Sequence, residues 1–280
     1  AGGGEVGNYW GFAGDSRTGF VAPLAYSRSN TNIVYCASDV LHKSTNGGAT
    51  WSGNALGPTP PYPAGTPNNF IDAMHKTAIA LAVSPTDPNK VYVSTSPFAQ
   101  FDNNVDNLYV SGLPNVLRTT TGAGPFTGIK NNLPDRFVMD FAISATNDDS
   151  VFAVLGGFGT SHVYVTGNGG ATWQDRGSGL PDVPFNAILI DQVDPNIIYA
   201  GCDLGVFVSN DRGLNWFNFN RVFSDATQVF DLQVSADNRI VAATPGKGVW
   251  ISNPAHTFAL PVMLLQFQGV NQGNRNLLSW

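Results

Sequence analysis

Residues 197–216 read IIYAGCDLGVFVSNDRGLNW. Two short apolar runs are followed by a tight turn, Ser209-Asn210-Asp211-Arg212-Gly213-Leu214-Asn215-Trp216. The turn has the form S-x-D-x-G-x-N-W. The same form recurs as Ser44-Thr45-Asn46-Gly47-Gly48-Ala49-Thr50-Trp51 and as Thr166-Gly167-Asn168-Gly169-Gly170-Ala171-Thr172-Trp173. A decayed copy, TTTGAGPF, places Phe126 where the others have Trp. Self-similarity at a fixed spacing is the mark of a repeat architecture and decides the fold before any single residue does.

Each turn closes a set of short apolar or alternating runs bounded by Asn, Ser or Gly, as strands require. The first set is VAPLAYS, NIVYCAS and VLHKS; the second TAIALAVS, KVYVSTS and VLRT; the third FVMDFAIS, SVFAVLGG and HVYVT. The fourth is FNAILID, IIYAG and GVFVS, and the fifth VFDLQVS, DNRIVAAT and GVWISN, with no closing turn. The closing aromatics fall at 51, 126, 173 and 216. A period in the forties with four strands per unit predicts an all-β propeller of four-stranded antiparallel blades, about five of them in this chain. The blades are expected near 20–56, 77–129, 137–178, 185–220 and 228–252, within a propeller spanning 1–255. Residues 256–280 form a linker or the start of a following β module. The fifth blade lacks a fourth strand. Either Val6–Phe12 supplies it, or the five blades are part of a larger ring.

Composition narrows the function classes. Charged residues are 12% of the chain, against roughly 25% in an average domain. Net charge is −6 without a basic run, so no nucleic-acid partner is expected. No apolar run reaches the roughly 20 residues of a membrane span. Cys36 and Cys202 sit in non-adjacent repeats and read as two free thiols. Glu5 is the only Glu. His42, His75, His162 and His256 lack metal-ligand spacing, and no cofactor is expected.

In the repeated turns, Asn46, Asn168 and Asp211 are expected to accept main-chain hydrogen bonds after Ser44, Thr166 and Ser209. Gly48, Gly170 and Gly213 supply positive φ. Trp51, Trp173 and Trp216 are expected to bury their rings between blades.

These units resemble the Asp-box, or BNR repeat, found in sialidases, xyloglucan-cleaving hydrolases, sortilin-type receptors and many secreted proteins. The tail LPVMLLQFQGVNQGNRNLLSW (Leu260–Trp280) resembles the opening of a β module in Bacteroidetes-type surface proteins, which often end in a type IX secretion sorting domain. The resemblance implies an extracellular or cell-surface protein. Sialidase chemistry would use an Arg cluster and a Tyr–Glu pair; nine scattered Arg and a lone terminal Glu argue against it.

Propeller geometry puts the repeated turns on one rim and the longer connections on the other. The Pro-rich insertion Leu56–Met74, with Pro58, Pro60, Pro61, Pro63 and Pro67, falls on the second rim, as does Pro97–Asn115. So do Gly156–Ser161 and Asn218–Thr227. Long loops on a rigid scaffold are where binding resides. Tyr62, Phe70, His75, Phe98, Phe101, Tyr109, Phe158 and Arg221 are the candidate ligand-binding residues, for polysaccharide or an extracellular protein partner. If the chain is a glycoside hydrolase, Asp72, Asp140 and Asp231 are the candidate carboxylates, the last two being equivalent on channel-lining strands. Asp102 and Asp106 form a weak cation candidate. The expected role is a non-catalytic binding propeller. The alternatives are a xyloglucanase-like hydrolase and a structural module of a surface assembly.

Overall fold

The computed structural model describes residues 21–52, 71–72, 76–99, 113–220, 226–257, 268–271 and 276–279, with only the backbone of 97–99 and of the last two segments. Blade one holds β1 (Leu24–Tyr26), β2 (Val34–Ala37) and β3 (Leu41–Ser44). Blade two holds β4 (Lys76–Val83), β5 (Val91–Ala99), β6 (Val116–Thr119) and β7 (Thr127–Gly128). Blade three holds β8 (Val138–Ile143), β9 (Val151–Leu155), β10 (Val163–Thr166) and β11 (Gln174–Asp175). Blade four holds β12 (Phe185–Ile190), β13 (Ile198–Cys202), β14 (Gly205–Ser209) and β15 (Phe217–Asn218). Blade five holds β16 (Asp231–Val234), β17 (Ile240–Thr244) and β18 (Gly248–Ser252). A two-stranded hairpin, β19 (Gln268–Asn271) and β20 (Asn276–Ser279), follows.

Every sheet is an antiparallel meander in chain order, and the five blades stand around one axis as a β-propeller. Blades two, three and four have four strands. In blade one the fourth position is a single bridge, Lys43 to Ser52. Blade five has three strands among the described residues. β5 runs through Pro97 to Ala99, beyond the end expected from the sequence. Among the described residues this extension pairs with β4, at Lys76 and Ala99, while β6 stops opposite Ser94, so the missing N–H of Pro97 removes no ladder bond to β6 as described.

Middle strands such as β9 (VFAVL) and β13 (IYAGC) are buried at every position, because both faces of a blade are covered by its neighbours. Four apolar clusters fill the four spaces between consecutive blades. They are the core of the molecule: Leu41 with Leu81, Val116 with Phe141, Val163 with Ile188, and Val206 with Leu232.

After blade five a short 3-10 turn, Ala255–Thr257, packs back onto blade four. The Tyr199 hydroxyl donates to Asp191 Oδ2 (2.9 Å) and accepts from Ala255 N (2.6 Å), and His256 Nδ1 lies 3.0 Å from both Asp191 oxygens. Burial raises the Asp191 pKa, but the N–H groups of Val193 and Asp194, with His256 and Tyr199, outweigh it and hold the carboxyl below its ordinary range. Cys36 and Cys202 are both free thiols.

Candidate functional site

The rim carrying the repeated turns is built by one recurring hydrogen-bond set. Gly48 N donates to Ser44 Oγ (2.8 Å), Gly170 N to Thr166 Oγ1 (2.9 Å) and Gly213 N to Ser209 Oγ (2.8 Å). Thr50 N, Thr172 N and Asn215 N donate to the Oδ1 of Asn46, Asn168 and Asp211 at 2.8, 3.0 and 2.8 Å. At Gly170 the φ of +91° and a Cβ position 2.7 Å from Ile129 both demand glycine. The Trp173 ring is buried and its Nε1 donates to Ile129 O at 2.9 Å. Trp216 repeats the bond to Arg176 O at 2.6 Å. The Ser or Thr hydroxyl and the Asn or Asp Oδ1 at the head of each turn thus accept main-chain N–H groups of the same turn, while Arg212 of the third turn reaches out to Ser150 Oγ (2.9 Å).

First strands β1, β4, β8, β12 and β16 line a central cavity of about 200 Å³, whose wall includes Tyr26, Arg28, Asp140 and Gln233. A β-bulge in β8 between Val138 and Asp140 aims the Asp140 side chain at blade four. Its Oδ1 accepts from Phe141 N (2.8 Å) and its Oδ2 from Ile188 N of β12 (2.9 Å). Burial pushes its pKa up to about 7; the two main-chain donors oppose this, and the charge of Asp231 adds a smaller push. Asp140 is thus a carboxyl that titrates near neutrality while clamping blade three to blade four. Asp231 occupies the same register position on blade five, opposite Ala243 as Asp140 is opposite Val154. It is exposed, and Gln233 Nε2 donates to its Oδ1 at 3.1 Å.

On the opposite rim the loop Gly156–Ser161 presents Phe158, 60% exposed. The loop is held from two sides. Arg136 donates through Nε (3.2 Å) and Nη2 (3.1 Å) to Phe158 O, and Gly159 N donates to Asp182 Oδ1 (2.8 Å). Gly157 and Gly159 take φ of +87° and +80°, so the sequence G-F-G allows the sharp path on either side of the ring. Beneath it, His162 stacks on Phe185 with ring centroids 5.5 Å apart. Its Nδ1 is 3.0 Å from Leu155 O and its Nε2 2.9 Å from Asp182 Oδ1. The His162 bond, with Gly159 N, holds the Asp182 carboxyl below its ordinary range. Also on this rim, buried Asp72 accepts from Asn115 Nδ2 at 3.0 Å.

Of the residues singled out from sequence, Tyr62, Phe70, His75, Phe101, Asp102, Asp106, Tyr109 and Arg221 lie outside the described residues, as does the side chain of Phe98. Phe158 stands on the loop rim, Asp72 is tied to Asn115, and Asp140 and Asp231 lie on separate blades in different bonding environments. Arg136, His162 and Asp182 were not singled out. Their roles arise from pairings across 20 residues or more, which carry no periodic signal. Among the described residues no group of three or more His, Cys, Asp or Glu could hold a metal ion, and no helix is long and apolar enough to cross a membrane.

No protein-family model matches the chain, and no curated protein matches its sequence. Its fold is shared with solved structures at low identity. A GH74 enzyme from Niastella koreensis matches at 20% identity and a TM-score of 0.60, over 86% of this chain and 36% of that one. A YCF48 structure with bound D1 peptide matches at 13% identity and a TM-score of 0.53, over 87% of this chain and 68% of that one. The extracellular domain of the putative hybrid two-component system BT4673 from B. thetaiotaomicron matches at 13% and 0.53, over 92% and 28%. The chain thus spans about a third of the GH74 structure's length. The class defined is a β-propeller. Its neighbours include an enzyme, a peptide-bound protein and an extracellular domain.

Proposed function

We propose that this protein is an extracellular, non-catalytic propeller of the Asp-box type that binds polysaccharide on its loop-bearing rim. The observation that carries the reading is Phe158. An aromatic ring 60% exposed is normally a liability, and here the loop beneath it is fixed by Arg136, Gly159 and Asp182. A rigid ring ordered before binding loses little entropy when a ligand arrives. Its neighbours Arg136, Asp135 and Asp182 are polar. One flat apolar face set among hydrogen-bonding groups suits a sugar ring, which offers C–H groups on one side and hydroxyls at its edge. A protein partner would call for an apolar centre within roughly 800 Å² of contact surface. A GH74 enzyme and an extracellular domain share this fold.

The test is a glycan array followed by calorimetry with the soluble polysaccharides that score. Binding by the full chain and at least tenfold weaker binding by Phe158→Ala are expected. Failure to bind any glycan, or equal binding by the variant, overturns the reading.

One observation favours the hydrolase alternative: Asp140 titrates near neutrality, as a general acid should. Against it, both carboxyl oxygens already accept main-chain N–H groups. Release of reducing sugar from xyloglucan, abolished by Asp140→Asn, would establish the alternative.

A further inference from the structure

The four spaces between blades all use one register. Each pairs a residue on the outer-middle strand of the leading blade with one on the innermost strand of the next. The leading positions Leu41, Val116, Val163 and Val206 are 2%, 2%, 0% and 3% exposed, and the fifth member of this series, Val249, is 65% exposed. The trailing positions Leu81, Phe141, Ile188 and Leu232 are 9%, 5%, 3% and 2% exposed, and their first member, Leu24, is 56% exposed. Ile251 on blade five and Tyr26 on blade one, at 46% and 55%, continue the two open faces. Both carry the apolar alternation of a buried interface, so blade five is not packed on blade one by the contact that joins the others.

The clamp repeats the pattern. Asp140 reaches across to Ile188 N of the following blade. Asp231, at the same register position, bonds Gln233 of its own strand. Cys36, opposite Leu24 on blade one, is half-buried, whereas Val93, Ala153 and Ala200, the partners of Leu81, Phe141 and Ile188, are fully buried.

We propose that these two faces are occupied by at least one further propeller blade of the same ring. It sets an apolar residue of its innermost strand on Val249 and a main-chain N–H on Asp231, and turns its own leading face onto Leu24 and Cys36. The occupant is identified by continuity: four interfaces of identical register precede the open position, and an apolar face of this kind in water is a site awaiting its sheet.

The chain supplies its own probe. Residues 137–184 comprise blade three and its connection to blade four; inserted between Phe20 and Val21, they meet β1 as they normally meet β12. Cys36 is the reporter and buried Cys202 the control, both followed by maleimide labelling. In the unmodified chain Cys36 is expected to react at least tenfold faster than Cys202. In the lengthened chain its rate is expected to fall at least tenfold. Val249→Arg is expected to leave the melting temperature of the unmodified chain unchanged and to lower that of the lengthened one. If Cys36 in the dilute unmodified monomer is as protected as Cys202, blade five closes directly on blade one and the proposal fails. It also fails if protection appears only as concentration rises, which marks a second copy as the occupant. An inserted blade that is digested by protease and leaves Cys36 labelling unchanged likewise overturns it, as does a loss of stability from Val249→Arg in the unmodified chain.

Discussion

The two rims of the propeller are made of the same residue types and use them in opposite ways. On the turn rim, Asn, Asp, Ser and Thr accept from the neighbouring main chain. Of the closing rings expected between blades, Trp173 is buried and Trp216 half-buried against its neighbour blade, while Trp51 is half-buried and belongs to none of the four clusters. On the loop rim, Arg136 and Asp182 brace a loop so that its aromatic ring goes outward. The difference is one of satisfaction. A turn whose Ser, Thr, Asn and Asp acceptors are engaged by its own main chain has few of them left for a ligand. A loop braced from outside keeps its tip free. Repetition thus marks the scaffold, and departure from repetition marks where binding is to be sought.

Four measurements sharpen or break this contrast. The largest effect is expected at Trp173, where the ring is buried and its N–H is bonded. Trp173→Ala should cost about 3–5 kcal/mol, read by denaturant unfolding. A loss below 1 kcal/mol would mean that the turn rim is not the scaffold. Next, Asn168→Ala removes the acceptor of Thr172 N and should cost about 1 kcal/mol. An unchanged midpoint would show that the turn holds without it.

The third concerns Asp140. Its folded pKa is raised to about 7, above the roughly 3.9 of an unfolded Asp. Between these values the native state binds the extra proton, so stability falls as pH rises from about 4 to 7. The contribution is at most about 1.4 kcal/mol per pH unit and should vanish from the profile of Asp140→Asn. Identical pH profiles would remove the buried clamp from the account. The smallest effect on stability belongs to Phe158→Ala, within about 0.5 kcal/mol because an exposed ring supports nothing. A large loss there would place Phe158 with the scaffold.

Much of this fold is legible in the sequence. The turns ending at Trp51, Trp173 and Trp216 set the period, and alternation in runs such as GVFVS sets the faces. The missing closing turn after Ser252 matches a fifth blade with three strands among the described residues. The site is less legible. The bulge that turns Asp140 toward Ile188 adds one residue to a strand without disturbing its composition. The braces at Arg136 and Asp182 bind a loop from separate connections. Equivalence of Asp140 and Asp231 is readable from the repeat, but their different surroundings depend on which blades are covered.

The 3-10 turn after blade five carries a mechanical consequence. Chain leaving β18 is fastened through Ala255 and His256 to Tyr199 and Asp191 of blade four. Tension arriving from beyond residue 257 is therefore delivered to an interior blade through a buried polar knot. β18, the last strand of blade five among the described residues, is spared peeling, and a pull from beyond that point does not open the propeller at this sheet.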